Sequence, residues 1–259
     1  MKSLLIGGIA LVLMVPACKK PETGAAPSSA SAPEKGTAAT PSGEIKAAQD
    51  QEEAKQAKVG DRALREDFSV TLKSAHESFA RRDLAAALKT LDEVPEEFRA
   101  DPGFLTLRGA CYTEKRDFKA ALEDFKEAAK NKPGDPSIRF NIAEISFVLR
   151  EWDEASKGFQ VLQSQGAVKG TVSALVDFKL MLCEEGRGNA AEFDRRAAEN
   201  LTDLDTLLAA YTKAAMEFRD GNTDEAKATL ADAANRFPEN AERAPWHDTM
   251  IEFGYDPRK

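Results

Sequence analysis

The sequence predicts an all-α protein, a solenoid of about five helical hairpins closed by a short C-terminal helix. The composition is 42% hydrophobic but only 7% aromatic, which is typical of helices rich in Ala and Leu. Val, Ile, Thr and Tyr rarely alternate with polar residues, so strands are poorly signalled. Small and large apolar residues also recur with a period of about 34 residues, and a period of that length indicates a stack of helix pairs.

Residues 1–18 have the pattern of an export signal. Met1 and Lys2 provide a short positively charged start, and residues 4–15 form an apolar stretch. This stretch is too short to span a bilayer well. We therefore predict that residues 1–18 direct export and are not part of the folded domain.

Cys18 is the predicted point of lipid attachment. Val15, Ala17 and Cys18 resemble the lipobox of bacterial lipoproteins, in which the Cys carries a diacylglycerol and becomes the mature N-terminus. Pro16 departs from the small residue usual there, so ordinary cleavage with Cys18 as a bystander is the alternative. The resemblance implies a membrane anchor, with the outer membrane facing the periplasm favoured by Lys19.

Residues 19–60 are predicted to be a disordered tether. The stretch 21–43 consists almost entirely of Pro, Ala, Ser, Thr and Gly, which cannot bury enough apolar surface to fold. Residues 44–58 are charged and rich in Ala and Gln without a clear apolar stripe, so they predict a marginal helix at most. The folded solenoid is then 61–259, with residues 67–80 as its first helix.

The clearest repeat unit runs from Pro102 to Pro133, with Gly109 and Ala121 where its two helices touch. Its key positions are filled in register one period before and one period after, in these sets: Ala75, Gly109 and Ala143; Leu84, Phe118 and Trp152; Ala87, Ala121 and Ala155; Leu91, Phe125 and Phe159. This pattern resembles the tetratricopeptide repeat family. The resemblance implies stacked helix pairs, since one hairpin alone cannot cover its apolar face.

Beyond the third repeat the register slips and then returns. The interval from Ala155 to Ala226 is slightly longer than two periods, so we divide it into one repeat of the regular length and one longer repeat. Residues 170–201 are predicted to be a degenerate fourth hairpin, and residues 214–238 resemble a fifth repeat. Residues 246–253 are predicted to form a short helix that covers the last apolar face, because a terminal repeat needs a cap.

The family resemblance implies that the first helix of each pair lines a concave, protein-binding groove. Carried over residue by residue, the predicted groove residues are Phe79, Phe140, Asn141, Phe147, Tyr211, Phe218 and Arg219. The polar positions beside them include Lys73, His76, Thr106, Glu114 and Glu144. Aromatic residues on such a surface commonly anchor peptides. The alternative is that Phe79, Phe147 and Phe218 pack against neighbouring repeats or the tether.

The sequence contains no recognisable catalytic, cofactor or metal site, so we do not expect an enzyme. His76 and His247 lack a His or Cys at ligand spacing. Cys111 and Cys183 have no metal-like spacing and are predicted to be buried and free. A net charge of -8 argues against nucleic acid as a partner, because phosphate binding needs clustered excess Lys and Arg.

Two functional hypotheses remain open. The first is a membrane-anchored scaffold or adaptor that holds a protein or peptide partner for envelope assembly or secretion. The second is a structural or self-associating envelope lipoprotein without a peptide ligand.

Overall fold

A computed structural model of the chain describes residues 41–256, with side chains from residue 60 onward. This part of the chain is helical and contains no strand. The α-helices are α1 (Pro41–Ala80), α2 (Leu84–Asp92), α3 (Pro102–Glu114), α4 (Phe118–Asn131), α5 (Pro136–Val148), α6 (Trp152–Ser164), α7 (Gly170–Gly186), α8 (Ala190–Asn200), α9 (Leu207–Arg219), α10 (Thr223–Arg236) and α11 (Asn240–Phe253). The signal, Cys18 and most of the predicted tether lie outside the described residues.

The helices form the predicted solenoid of hairpins. The pairs α1/α2, α3/α4, α5/α6, α7/α8 and α9/α10 each pack as a hairpin, and each hairpin stacks on the next. The fold class predicted from the repeat is therefore confirmed. None of the helices in the described part of the chain is both long and apolar enough to cross a membrane.

Asp residues fix where several of these helices begin. The carboxylate of Asp101 accepts hydrogen bonds from the amides of Gly103 and Phe104, and Pro102 occupies the first turn of α3. Asp135 and Pro136 repeat this arrangement at the start of α5. A side chain that accepts from the free amides of the first turn stabilises a helix start, and Pro fits there because it has no amide hydrogen to satisfy. Each Asp-Pro pair therefore opens the first helix of a hairpin.

The turn inside every hairpin has the same left-handed backbone. It occurs at three arginines and two glycines: Arg82, Arg116, Arg150, Gly188 and Gly221. The amide of each of these turn residues donates to the carbonyl of the residue three positions earlier. The amide of the residue that follows the turn residue donates to the carbonyl five positions before itself. These bonds satisfy the last carbonyls of the first helix.

The spacing of these turn residues corrects the predicted lengths of the last two repeats. The intervals from Arg82 to Arg116 and from Arg116 to Arg150 are equal, and both match the regular period. The interval from Arg150 to Gly188 is longer, and the one from Gly188 to Gly221 is slightly shorter. The interval that ends at Gly188 is therefore longer than the sequence analysis expected, and the interval that ends at Gly221 is slightly shorter than the regular period.

Gly109 sits where the sequence places the tightest approach within a hairpin. A Cβ atom added there would lie 2.8 Å from the Phe125 ring, closer than carbon atoms pack. Ala121, on the facing helix α4, is fully buried. The small residues at these positions therefore allow α3 and α4 to touch.

Two helices differ from their predicted extent or position. α1 begins at Pro41, so it starts within the segment predicted to be tether and well before Asp67. Its side chains from residue 60 to 67 are all exposed. At the other end, α11 packs against α5, α7 and α9, which are the first helices of the last three hairpins. It therefore lies along the face lined by first helices, instead of only closing the last hairpin.

Candidate protein-binding groove

The predicted groove residues do share one helix face, because each lies at a fixed distance before its left-handed turn residue. Phe140 and Tyr211 lie ten residues before their turn residues, and Phe147 and Phe218 lie three before them. This regular placement puts equivalent side chains side by side on α5 and α9.

The structure adds Phe178 and Lys179 of α7 to this face. Phe178 lies ten residues before Gly188, and Lys179 takes the place that Asn141 has in α5. Sequence reasoning missed these two residues because the fourth repeat is longer than the others. The signal available in the sequence was Gly188, which follows a helical apolar run.

Most of the predicted groove residues are buried rather than open to solvent. Phe147 and Asn141 are 0% exposed, Tyr211 is 2% exposed and Phe140 is 5% exposed. Phe218 is partly exposed. In this structure their aromatic rings form part of the hydrophobic core of the last three hairpins. The alternative that Phe147 and Phe218 serve packing is therefore the better description of their surroundings.

The cover over these residues includes aromatic side chains of the C-terminal segment. The Trp246 ring centroid lies 5.8 Å from that of Phe178 and 5.8 Å from that of Tyr211. Trp246 is itself only 1% exposed. The middle of α11 is thus held between two groove rings from two different hairpins.

The C-terminal end of α11 and the residues just after it form a second aromatic cluster. Phe253 lies 6.4 Å from Phe147 and 5.3 Å from Trp152, measured between ring centroids. Tyr255 stacks on Phe218 at 5.4 Å with an interplanar angle of 11°. Aromatic pairs at these separations are attractive beyond their burial of apolar area. The aromatic groove predicted to bind a protein or peptide is therefore filled, along α5, α7 and α9, by a helix of the same chain.

A buried group of charges lies under the same helix. The ammonium of Lys179 is 3.0 Å from Glu144 Oε2 and 3.7 Å from Glu252 Oε2, and Lys179 and Glu144 are 2% and 3% exposed. The ammonium also lies 4.6 Å from the centroid of the Phe147 ring. One cation on α7 thus links a carboxylate of the groove to a carboxylate of α11.

Burial and pairing act in opposite directions on the pKa values of this group. Burial raises the pKa of the Glu144 carboxyl, and Lys179 only partly opposes that rise. Burial lowers the pKa of Lys179, but the carboxylates of Glu144 and Glu252 outweigh burial and leave it above its ordinary value. Lys179 is therefore a buried cation. Burial disfavours the ionised form of the Glu144 carboxyl.

Two hydrogen bonds to main-chain carbonyls add to the docking of α11. The guanidinium of Arg150 donates to the carbonyl of Phe253 at 3.2 Å. The hydroxyl of Tyr211 donates to the carbonyl of Arg243 at 3.5 Å. Burial raises the pKa of Tyr211 to about 12, so the hydroxyl keeps its proton for this bond.

Arg219 and Phe79 are engaged by other parts of the solenoid. The guanidinium of Arg219 pairs with Asp194 at 2.7 Å and with Asp220 at 3.1 Å, and it covers the ring of Phe193 on α8. Its charge is thus already engaged between α8 and α9. Phe79, at the end of α1, is half-buried against the core of the first hairpins.

The first-helix face is more open at α1 and α3. Lys73 is exposed, and His76, Thr106 and Glu114 are partly exposed. Partial burial lowers the pKa of His76, so its neutral form is favoured. Glu114 is 3.5 Å from Arg82. This section combines an exposed lysine with half-exposed apolar and polar groups.

Cys111 and Cys183 are buried and free, as predicted. Burial raises the pKa of Cys111 to about 11 and that of Cys183 to about 12, which disfavours the reactive thiolate. Among the side chains that the structure describes, no cluster of His, Cys, Asp or Glu is arranged to hold a metal ion.

Comparison with known proteins adds little. No protein-family model matches the chain, and no curated protein matches it. Among solved structures, the TPR domain of P58(IPK) is similar at 15% sequence identity, covering 79% of this chain and 69% of that one, with a TM-score of 0.33. A superposition this loose carries no argument about function.

Proposed function

We propose that this protein is a lipid-anchored interaction scaffold of the bacterial cell envelope. In this proposal, Cys18 holds it in a membrane, with the outer membrane facing the periplasm as the favoured location. The solenoid binds a protein or peptide that takes part in envelope assembly or secretion. The binding surface is the face formed by the first helices of the hairpins.

The observation that carries the proposal is that this face already accommodates a helix. α11 packs along α5, α7 and α9 through aromatic contacts and one buried ion group. A row of first helices that holds one aromatic helix has the shape and chemistry to hold a partner segment. The same face continues onto α1 and α3, where Lys73 and Phe79 remain accessible.

The section on α1 and α3 is therefore the surface available without any rearrangement. Phe140 and Phe147 are unsuitable for testing it, since both are core residues and truncating a buried Phe costs about 3–5 kcal/mol of stability. Lys73 and Phe79 are better choices. Both lie on the open section, and neither is fully buried.

The test is crosslinking and pull-down of the lipidated protein from its native membranes, with recovered proteins identified by mass spectrometry. We expect a stoichiometric envelope protein that is lost from the variant Lys73→Glu with Phe79→Ala. The matched control is Phe118→Ala with Lys119→Glu on α4, a second helix, which should retain the partner. A Cys18→Ser form should leave the membrane fraction.

Recovery of only the protein itself would contradict the scaffold proposal. It would favour the alternative of a structural or self-associating lipoprotein. Retention of the partner by the α1 variant, with loss in the α4 control, would place the binding surface on the second helices instead.

A further inference from the structure

We propose that the groove of α5, α7 and α9 is a docking site for an amphipathic helix of a partner protein, and that α11 is its displaceable resident. This inference rests on the proposed function, because it names the class of partner for the same face. The partner helix carries aromatic residues along one side and a carboxylate placed to reach Lys179.

The resident helix shows which chemistry the groove recognises. Trp246 and Phe253 are seven residues apart, which places them on the same side of a helix, two turns from each other. They contact rings of different hairpins: Trp246 contacts Phe178 and Tyr211, and Phe253 contacts Phe147. A partner helix needs the same spacing to contact both ring clusters.

Lys179 supplies the charge preference. It is the cation of the buried group, and Glu252 of α11 approaches it at 3.7 Å. The buried ammonium disfavours a positive group at this place in the ligand, and a ligand carboxylate there shares the ammonium with Glu144 as Glu252 does. An acidic residue beside an aromatic one is therefore the expected feature of the partner.

α11 satisfies this groove incompletely. Glu144 Oε1, the indole Nε1 of Trp246 and both amide atoms of Asn141 are buried without a hydrogen-bond partner among the described residues. Each buried polar group left unpaired costs about 1–3 kcal/mol. A helix that donates a hydrogen bond to Glu144 can therefore bind better than α11 does.

Two features of α11 weaken it as a helix. Pro245 lies inside it and removes one main-chain hydrogen-bond donor, and no side chain caps its start. Helices α1 to α10 also contact one another directly, so release of α11 exposes part of the core of the last three hairpins but removes none of the contacts between those helices.

A cleft beside Trp246 gives a competing helix a place to begin. It has a volume of about 500 Å³ and is bordered by the N-terminal ends of α7 and α9, including Thr171 and Leu207, and by Glu242 of α11. The first half of α11, from Glu242 to Trp246, therefore borders open space next to its main aromatic anchor.

The test measures binding of a fluorescein-labelled synthetic peptide of residues 237–256 to the full chain, by fluorescence anisotropy. In the wild type, the resident α11 competes with the peptide, so only a fraction of molecules can bind and the apparent affinity is reduced by that fraction. The receptor variant Trp246→Ala loses the main anchor of its own α11. We expect it to bind the peptide at least about tenfold more tightly than the wild type.

Two further variants keep the result interpretable. Glu252→Lys in the receptor places a second cation near Lys179 and loosens α11 without removing a core side chain, so it should also bind the peptide more tightly. Lys179→Gln added to Trp246→Ala should abolish peptide binding. A peptide carrying Phe253→Ala and Glu252→Lys should bind weakly to every receptor. Circular dichroism establishes that each variant remains helical.

Four outcomes would overturn the inference. Binding to none of the receptors would make α11 a permanent part of the fold. If the peptide binds the wild type, Trp246→Ala and Glu252→Lys with equal affinity, its binding site is not the groove under α11. The same conclusion follows if the peptide still binds after Lys179→Gln. Concentration-dependent dimers of the full chain that the peptide dissociates would make the occupant α11 of a second copy. If the peptide fails to bind while the Lys73 and Phe79 variant loses a membrane partner, the proposed function stands without this inference.

Discussion

The first two hairpins and the last three present equivalent residues in different surroundings. Phe79 and Phe147 both lie three residues before a left-handed arginine, yet Phe79 is half-buried and Phe147 is fully buried. Lys73 and Lys179 both lie nine residues before the turn residue, yet Lys73 is exposed and Lys179 is 2% exposed. The difference is the presence of α11 against α5, α7 and α9. A repeat position therefore does not by itself determine whether a residue faces a partner or the core.

Removing the main anchor of α11 should have the largest effect on this difference. Trp246→Ala removes a fully buried indole, which we expect to cost about 3–5 kcal/mol in the free energy of unfolding of the last three hairpins. Hydrogen exchange followed by mass spectrometry should show faster exchange in α7 and α9, with α1 to α4 unchanged. Phe104→Ala, in the core of the first hairpins, should give the opposite distribution. Equal acceleration in both halves would mean that the whole chain unfolds as one unit.

The two lysines at equivalent positions allow a matched substitution. Lys179→Met leaves the buried Glu144 without its cation and should cost about 3 kcal/mol. Lys73→Met changes an exposed side chain and should change stability by less than about 0.5 kcal/mol. Urea unfolding monitored by circular dichroism measures both. Similar small effects would show that the charges around Lys179 are solvated, and the two halves would then differ less than the structure indicates.

The left-handed arginines provide a smaller and more specific comparison. Arg82→Gly relieves a backbone conformation that is unfavourable for a residue with a Cβ atom, so it should stabilise the protein by about 0.5 kcal/mol. Arg150→Gly relieves the same strain but removes the hydrogen bond to the carbonyl of Phe253. We therefore expect no gain, or a loss, from Arg150→Gly. The melting temperatures of the two variants, measured by thermal unfolding, test this expectation. An equal rise in both would show that the bond from Arg150 to the Phe253 carbonyl does not contribute to stability.

The smallest expected effect is a dependence of stability on pH that arises from Glu144. Burial raises the pKa of Glu144 in the folded state above its ordinary value of 4.5, so the folded state binds a proton more tightly than the unfolded chain does. Stability should therefore fall as the pH rises from 4.5 through the raised pKa. In the Glu144→Gln variant, the urea midpoint should fall less with rising pH above 4.5 than it does in the wild type. An unchanged slope in the variant would assign the dependence to another group.

The regular part of the fold was predictable because it is encoded in a period. Gly109 and Ala121 were assigned to the contact between two helices from the repeat register. Gly109 lies against the Phe125 ring of the facing helix, and Ala121 is fully buried. The fourth hairpin was predicted, but Phe178 and Lys179 were not identified. Its turn at Gly188 lies further along the chain than one regular period after Arg150, so transfer of positions by a fixed period failed.

The position of α11 could not be predicted in the same way. Its contacts join Phe253 to Phe147 and Tyr255 to Phe218, and these pairs belong to no repeat. Trp246 and Phe253 were recognised as apolar residues of a closing helix. Nothing in their spacing distinguishes a helix that covers the last hairpin from one that runs along three of them. That choice depends on which apolar surface the preceding hairpins leave uncovered.

The path of α11 also sets the mechanical character of the molecule. A stack of hairpins bends through small rotations at each junction, so its curvature is elastic when neighbours alone hold it. While α11 is docked, its contacts with α5, α7 and α9 fix the two junctions between those hairpins. Among the described residues, α11 does not pack across the junction between α2 and α3. Under tension applied from the N-terminal end, the first two hairpins would flex and peel away first. The last three hairpins would keep their arrangement for as long as α11 stays docked on α5, α7 and α9.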